Sequence, residues 1–217
     1  MKTAEVKKTE FKTPYPGLEE VSGWMDVHGK RLSVSTINWE GFNYKPCVDV
    51  AIAYSESEIF LKYYISENYF KAEKTETNQM VCEDSCVEFF VSPEDDGVYY
   101  NLEFNGIGTC LMGIGTGRAD RLSADPAIIS KIRRLSSAGV KPVIENEGKF
   151  EWTITVAIPF EVFFRHHVTN LKGKIFRANF YKCGDKTPTP HFAAFFPAGS
   201  AALGFHNPSC FGKIILN

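Results

Sequence analysis

Apolar and polar side chains alternate along most of this chain, which is the pattern of strands that bury one face. The clearest pair of such segments runs from Cys86 to Val91 and from Val98 to Asn105. Between them lies the sequence SPEDDG, in which proline fixes φ, aspartate caps its own turn and glycine permits a positive φ. The pattern therefore predicts an antiparallel hairpin.

The two faces of this hairpin differ in character. One face is apolar and carries Val87, Phe89, Val91, Tyr100, Leu102 and Phe104. The other face collects Glu88, Asn101, Glu103 and Asn105, next to Cys86 and Phe90. We expect this polar face to be an open surface and the place where function lies.

The same alternation continues in other parts of the chain and defines the fold class. Strands are predicted at residues 32–37, 48–54, 59–65, 150–158, 175–182, 191–196 and 211–216. One short helix is predicted from Pro126 to Leu135, because Asp125 is a suitable N-cap and proline is favoured at the first helical position. This pattern predicts an all-β fold, an antiparallel β-sandwich, with a closed barrel as the structural alternative.

Domain boundaries follow from the distribution of these signals. Residues 1–20 are polar and then rich in turn-forming residues, so we expect an extended N-terminal arm whose first 8 to 10 residues are mobile. Strand signals continue evenly afterwards, without a Ser/Gly-rich linker. Because sandwiches of about 200–250 residues commonly form one unit, residues 21–217 are expected to be a single domain.

Composition excludes several classes of protein. Hydrophobic residues make up 44% of the 217-residue chain, which is enough for a large core. The net charge is −2 and Lys and Arg are scattered, so no basic stripe is available for nucleic acid. No window approaches the ~18 apolar residues of a membrane-spanning helix. The charged segment from Met1 to Phe11 lacks the apolar region of a signal peptide, which favours a cytoplasmic protein unless a leader was removed.

The six cysteines are expected to be mostly reduced. A chain with an ample apolar core does not need disulfides to fold. Cys82 and Cys86 lie four residues apart in an extended segment, roughly 13 Å at strand rise, which is too far for a bridge.

Possible metal and haem ligands are sparse. His191 and His206, with Cys183, Asp185 and Cys210 nearby in sequence, fit no compact metal motif, so ordinary core or loop histidines are favoured. The acidic turn at residues 94–96 lacks the D-x-D-x-D-G order of a calcium loop, which favours a solvated turn. Met112 and His191 are the nearest candidates for haem ligands, on thin grounds.

Several stretches together resemble carbohydrate-binding module family 9 and its bacterial relatives. They are CEDSCVEFF from Cys82, YYNLEFN at 99–105, the strand from Trp152 to Pro159, RANFYKCGD at 177–185 and FHNPSCFG at 205–212. The resemblance covers the chain from about residue 45 to the end, with the pieces in the same order.

This resemblance implies a jelly-roll-like sandwich that holds the end of an oligosaccharide or polysaccharide between two aromatic rings. It also implies a role in polysaccharide catabolism beside a partner glycoside hydrolase, often with structural calcium. Carried over by position, the implied binding residues are Glu88, Asn101, Glu103, Asn179 and Tyr181, with Phe205 as a clamp aromatic. Relatives carry Trp where this chain has Cys82 and Phe205, so sugar stacking is expected to be weaker or shifted.

Alternation adds a further candidate and leaves an alternative function. Arg177 shares a strand face with Asn179 and Tyr181, where its guanidinium either contacts sugar oxygens or pairs with a glutamate. Glu88 and Glu103 on neighbouring strands also suit a glycoside hydrolase, if their carboxyl groups stand about 5 Å apart for retention or about 6.5–9.5 Å apart for inversion. We favour non-catalytic carbohydrate binding over hydrolysis.

Overall fold

The computed structural model describes residues 3–199 and 203–217, and its strands form two sheets. The first sheet has the order β1-β13-β11-β5-β6-β7-β8, with β12 paired beside β11. Its strands are β1 (Thr3–Val6), β5 (Cys86–Ser92), β6 (Tyr99–Asn105), β7 (Cys110–Gly115), β8 (Leu122–Ser123), β11 (Ile175–Cys183), β12 (Phe192–Ala194) and β13 (Gly212–Leu216). Neighbouring strands are antiparallel except for β1 and β13, which run parallel.

The second sheet is antiparallel and has the order β2-β3-β4-β10-β9. Its strands are β2 (Arg31–Ser33), β3 (Cys47–Tyr54), β4 (Glu58–Ala72), β9 (Arg133–Ser136) and β10 (Val143–Pro159). The helices are α1 (Leu18–His28) and α2 (Pro126–Ile129). Short 3-10 turns occupy Val81–Glu83, Phe160–Val162 and Pro208–Cys210.

The main apolar core lies between the sheets, which confirms the sandwich. All six side chains predicted for the apolar face of the β5–β6 hairpin belong to this core. Phe89 and Phe180 stack there, with ring centroids 5.2 Å apart. Trp152 and Ile154 on β10 face them from the second sheet. The period-2 alternation of the sequence therefore gives the correct inward face.

The helices differ from the sequence prediction. Helix α1 was missed, although Leu18, Val21 and Met25 have helical spacing, because Gly17 supplies no side-chain cap. It packs on the outer face of the second sheet, against Ala53 and Phe60 among others. Helix α2 ends six residues earlier than predicted.

The end of the predicted second helix is a strand instead. Asp125 caps α2 as expected, with its Oδ1 accepting from the Ala127 amide at 2.8 Å. The chain then enters β9, which pairs with β10 and places Leu135 opposite Thr155. Pairing with an existing strand satisfies the backbone of this short segment, which overrides its helical pattern.

The segment expected as an extended N-terminal arm contains defined structure. Thr3–Val6 forms β1, and Ala4 and Val6 are buried. The first three residues of α1 also fall within it. Within residues 3–199 and 203–217, no helix is both long and apolar enough to cross a membrane.

Candidate functional site

Strand register places Tyr181, Glu88 and Glu103 in one row across the first sheet. Tyr181 on β11 is directly opposite Glu88 on β5, and Glu88 is directly opposite Glu103 on β6. Leu111 on β7 completes the row. All four side chains lie on the face that points away from the main core.

This outer face is covered, which corrects the expectation of an open polar surface. A second apolar cluster includes Phe90, Tyr99, Tyr181 and Phe192 from the sheet together with Trp39 and Phe205 from covering segments. Glu88 is 3% exposed and Glu103 is 4% exposed. Burial of the large aromatic rings beside these carboxylates is favourable, and the covering segments therefore leave only a partly covered site on this face.

A small cavity of about 140 Å³ remains between the row and its cover. Its polar lining is formed by Glu88, Glu103, Arg118, Arg121, Asp185 and His206. Its apolar lining includes Cys82, Leu111, Phe192 and Phe205. The cavity is below the roughly 300–1,000 Å³ of pockets that enclose drug-sized ligands, so it suits a single small ring or a chain end.

Glu88 is a buried acid on the cavity wall. Burial, with the nearby charge of Glu103, raises its pKa well above the ordinary value. Its Oε1 accepts a hydrogen bond from the Cys183 thiol at 2.9 Å. Its Oε2 is buried without a hydrogen-bond partner among the described residues. Glu88 therefore offers the cavity a protonated carboxyl group.

Glu103 is held by two neighbours. Asn101 Nδ2 donates to Glu103 Oε1 at 2.9 Å, and Arg121 Nη1 lies 3.5 Å from the same oxygen. Burial raises the pKa of Glu103 to about 7, although Arg121 and the hydrogen bond from Asn101 oppose that rise. The total negative charge on the two facing carboxyl groups near neutral pH is therefore smaller than on two ordinary glutamates.

His206 connects the cationic side of the cavity to the sheet. Its Nε2 accepts from Arg121 Nη1 at 3.1 Å, so in the neutral ring Nδ1 donates to the Tyr99 hydroxyl at 2.8 Å. Burial and the charges of Arg121 and Arg118 lower the pKa of His206 to about 3. His206 is a neutral ring that orients Arg121.

Three of the seven predicted binding residues line the cavity, namely Glu88, Glu103 and Phe205. Asn101 lies behind Glu103 and donates to it. Tyr181 is completely buried, and its ring stacks on Phe205 with centroids 4.0 Å apart.

The remaining two predicted residues bind backbone. Asn179 is completely buried; its Nδ2 donates to the Phe196 carbonyl, and its Oδ1 accepts from the Phe180 and Phe196 amides. Arg177 donates to the carbonyls of Ser209 and Phe211 rather than pairing with a glutamate. Both side chains secure segments that cover the outer face.

The sequence prediction missed the arginines and the role of His206. Arg118 lies within a tight turn, and Arg121 follows it; in this turn Asp120 accepts from the Thr116 and Gly117 amides at 2.9 and 2.7 Å. These residues lie in a loop without periodicity, so alternation carries no information about where they point. The one available signal is Asp120 itself, a residue type that caps turns.

Of the groups considered for metals, His206 lines the cavity, whereas His191 and the acidic turn lie elsewhere. His191 accepts from Lys182 Nζ at 3.0 Å, and its pKa is lowered to about 3 by burial and by Lys182. Asp96 accepts from the Val98 amide and contacts His166 at 3.2 Å.

The acidic turn at residues 94–96 therefore has no converging set of carboxylate oxygens for calcium. Among the described residues, the one set of three or more His, Cys, Asp or Glu side chains with converging ligand atoms is Cys86, Glu88 and Cys183. Two of these three are thiols, whereas calcium takes oxygen ligands. The implied structural calcium does not fit either place.

Comparisons with known proteins agree with this architecture. Residues 25–216 match the model of carbohydrate-binding family 9. A crystal structure of a candidate carbohydrate-binding protein from Bacteroides uniformis is 37% identical, with a TM-score of 0.95 over 100% of this chain and 99% of that chain. No curated protein matches the chain.

A family 9 carbohydrate-binding module from Caldicellulosiruptor kristjanssonii is more distant. Its structures with glucose and with cellotriose are each 12% identical to this chain, with a TM-score of 0.59. The alignments cover 100% of this chain and 96% and 94% of those chains. This likeness shows a shared fold.

Proposed function

Because the chain belongs to carbohydrate-binding family 9, we propose that the cavity lined by Glu88, Glu103 and Phe205 binds the end of an oligosaccharide without cleaving it. The observation that carries this proposal is the pair of facing glutamates beside Arg121 on the cavity wall. Carboxyl and guanidinium groups together complement sugar hydroxyls, which both donate and accept hydrogen bonds.

The proposed ligand class follows from the size of the cavity and from the relatives. A cavity of about 140 Å³ has room for one terminal unit rather than for an internal stretch of polysaccharide. The Caldicellulosiruptor kristjanssonii module was solved with glucose and cellotriose, so cello-oligosaccharides are the first ligands to test. A glycoside hydrolase that degrades the same polysaccharide is the partner class we propose.

Stacking contributes less here than in a site with two tryptophans. Phe205 is 5% exposed and one of its faces is occupied by Tyr181. Cys82 supplies no ring at the other clamp position. Since a phenyl ring offers less area and a weaker π-face than an indole, we propose that hydrogen bonds to the glutamates and Arg121 dominate the affinity.

The other predicted binding residues act at a distance in this proposal. Asn101 orients Glu103, and Tyr181 supports Phe205 from behind. Arg177 and Asn179 hold the covering segments against the sheet. We assign all four as positioning residues.

Glu103→Gln is expected to weaken binding of cellotriose at least about 10-fold. Hydrogen bonds to charged groups contribute about 1.5–3 kcal/mol, and each 1.4 kcal/mol is about 10-fold in Kd. Isothermal titration calorimetry measures the change. Glu151→Gln, on the exposed side of β10, is the matched control and should bind like the wild type. Equal affinities of the Glu103 and Glu151 variants would contradict the proposed site.

Stability should depend on pH through Glu103. Burial raises its pKa from 4.5 to about 7, so between these pH values the folded protein holds a proton that the unfolded chain releases. The unfolding free energy contributed by this group therefore falls as pH rises through that range. Urea unfolding of wild type and Glu103→Gln at several pH values should give a difference that changes between about pH 4.5 and 7. A difference independent of pH would show that Glu103 is not held in its protonated form.

The hydrolase alternative has one favourable observation and one against it. The raised pKa values of Glu88 and Glu103 suit a general acid. The cavity volume of about 140 Å³, however, suits one terminal sugar unit better than sugar units on both sides of a scissile bond. Incubation with aryl glycosides distinguishes the two functions, because a pure binding protein releases no phenol.

A further inference from the structure

Two cysteines and a glutamate converge beside the proposed sugar cavity. Cys86 on β5 and Cys183 on β11 are directly opposite each other. Glu88 lies two residues beyond Cys86 on the same strand, so it points to the same face. One ligand atom from each residue lies within 4.8 Å of the other two, and all three side chains are buried.

The carboxylate in this cluster has an unused oxygen. Glu88 Oε1 accepts from the Cys183 thiol at 2.9 Å, whereas Oε2 has no hydrogen-bond partner among the described residues. A buried polar atom without a partner costs about 1–3 kcal/mol and calls for an explanation. A cation bound between the carboxylate and the two sulfurs would explain why this oxygen has no hydrogen-bond partner.

We propose that Cys86, Cys183 and Glu88 form a site for a thiophilic divalent cation, with Zn²⁺ as the best fit. Thiolate and carboxylate are both zinc ligands, at about 2.3 Å and 2.0–2.2 Å from the ion. In a tetrahedral site these bond lengths place the two sulfurs and the oxygen about 3.5–3.8 Å apart, within the observed convergence. The two thiols and the protonated Glu88 carboxyl group each release a proton to solvent as they become ligands.

The fourth position of this site faces the cavity. Glu88 and Cys183 both line the cavity, as do Cys82 and Asp185. The cavity therefore gives the ion an entry path and room for water, for one of these two side chains or for a ligand oxygen. Three protein ligands with one open position is the arrangement of zinc sites that interact with small molecules.

This inference shares Glu88 with the proposed carbohydrate binding, but the two proposals can fail separately. A protein that binds sugar but no metal would overturn the metal site alone. A protein that binds metal but no cellotriose would overturn the proposed function alone. Calorimetry with cellotriose, before and after removal of metal with a chelator, separates the two.

The direct test uses Co²⁺ as a spectroscopic substitute for Zn²⁺. The full-length, reduced protein is titrated with Co²⁺, and we expect one equivalent to produce thiolate-to-cobalt charge-transfer absorption that added Zn²⁺ removes. Elemental analysis after dialysis against Zn²⁺ should find one equivalent of bound metal. No charge-transfer band, or no retained zinc, would overturn the proposal.

Single variants test whether the Co²⁺ absorption comes from the cluster of Cys86, Cys183 and Glu88. Cys86→Ser, Cys183→Ser and the isosteric Glu88→Gln are each expected to weaken Co²⁺ binding at least ~10-fold. Cys110→Ser is the control with equal burial, and Cys47→Ser is an exposed control. Circular dichroism verifies that each variant folds, and Glu88→Gln keeps the packing if a serine variant does not. Equal loss of binding in the Cys110 variant would overturn the assignment.

Two directly opposite cysteines could also form a disulfide, and a disulfide between Cys86 and Cys183 would exclude metal binding by these thiols. Peptide mapping under non-reducing conditions identifies it as a linked peptide that is two hydrogens lighter than the reduced pair. A protein isolated fully in that form from its native host would also overturn the metal site.

Discussion

Replacing Glu67 with glutamine is expected to lower the unfolding free energy by about 3–5 kcal/mol, because the ammonium group of Lys182 would stay buried without its counter-charge. Glu67 lies on β4 of the second sheet and Lys182 on β11 of the first. Their charged atoms are 2.9 Å apart and both side chains are fully buried. The pair therefore spans the interior of the sandwich.

The hydrogen bonds around this pair explain why replacing one partner lowers the unfolding free energy strongly. Trp152 Nε1 donates to Glu67 Oε1 at 2.7 Å. Lys182 Nζ also donates to the Cys183 carbonyl and to His191 Nε2, at 2.8 and 3.0 Å. His191 in turn contacts the Thr189 carbonyl through Nδ1, so its neutral ring is fixed in one orientation. Loss of one charge leaves this whole network imperfectly paired.

Urea unfolding monitored by tryptophan fluorescence measures the effect. Glu161→Gln is the control, since Glu161 forms an exposed ion pair with Lys131 at 2.7 Å and should change stability by less than about 1 kcal/mol. A double variant, Glu67→Gln with Lys182→Met, should recover part of the loss because it removes both charges. Equal effects of the Glu67 and Glu161 variants would show that the buried pair is not needed.

Asn179→Ala is expected to cost about 3 kcal/mol or more, through the three backbone groups that it would leave unsatisfied. Its side chain bonds the Phe196 carbonyl, the Phe196 amide and the Phe180 amide, each at 2.9 Å. A buried backbone group without a partner costs about 1–3 kcal/mol. Asn146→Ala is the matched control, because exposed Asn146 bonds only the Ile144 carbonyl among the described residues.

The same variant tests whether Asn179 contacts sugar. If it is a positioning residue, Asn179→Ala should unfold at lower urea concentration yet bind cellotriose within about 3-fold of wild type at temperatures where it is folded. A direct ligand would show the opposite pattern, with nearly unchanged stability and affinity reduced at least about 10-fold. Measuring both quantities on one preparation distinguishes these roles.

Alternation in the sequence was sufficient to predict which way β5, β6 and β11 of the first sheet face. It placed Glu88, Glu103 and Tyr181 on one side, and the register brings them into one row. The inward residues such as Phe89 and Leu102 were equally clear. Period-2 patterns carry this information because each residue's direction follows from its neighbours in the same strand.

What alternation could not predict is what covers each face. Phe90 and Tyr99 share a face with Glu88, and their rings require apolar cover from Trp39 and Phe205, which are distant in sequence. Such contacts depend on how irregular segments fold back, and no periodic signal describes them. For this reason the sequence predicted an open polar surface where the structure has a small, partly covered cavity.

Helix α1 was also missed because it depends on tertiary contacts that the sequence pattern does not reveal. Its apolar stripe is narrow, with Val21 and Met25 as the two fully buried positions, and it has no side-chain N-cap. Packing against small residues on the second sheet, including Ala51 and Ala157, stabilises it. A marginal helix is thus fixed by tertiary contact rather than by propensity.

The parallel pairing of β1 with β13 has a practical consequence for any shortened form of this protein. Thr3–Val6 occupies the outermost position of its sheet, and without it β13 would present free amide and carbonyl groups to solvent. An exposed ladder of this kind recruits strands from other molecules and promotes self-association. Trimming the first few residues would therefore move the free edge of this sheet from the four-residue strand β1 to β13, and expression designs should leave that stretch intact.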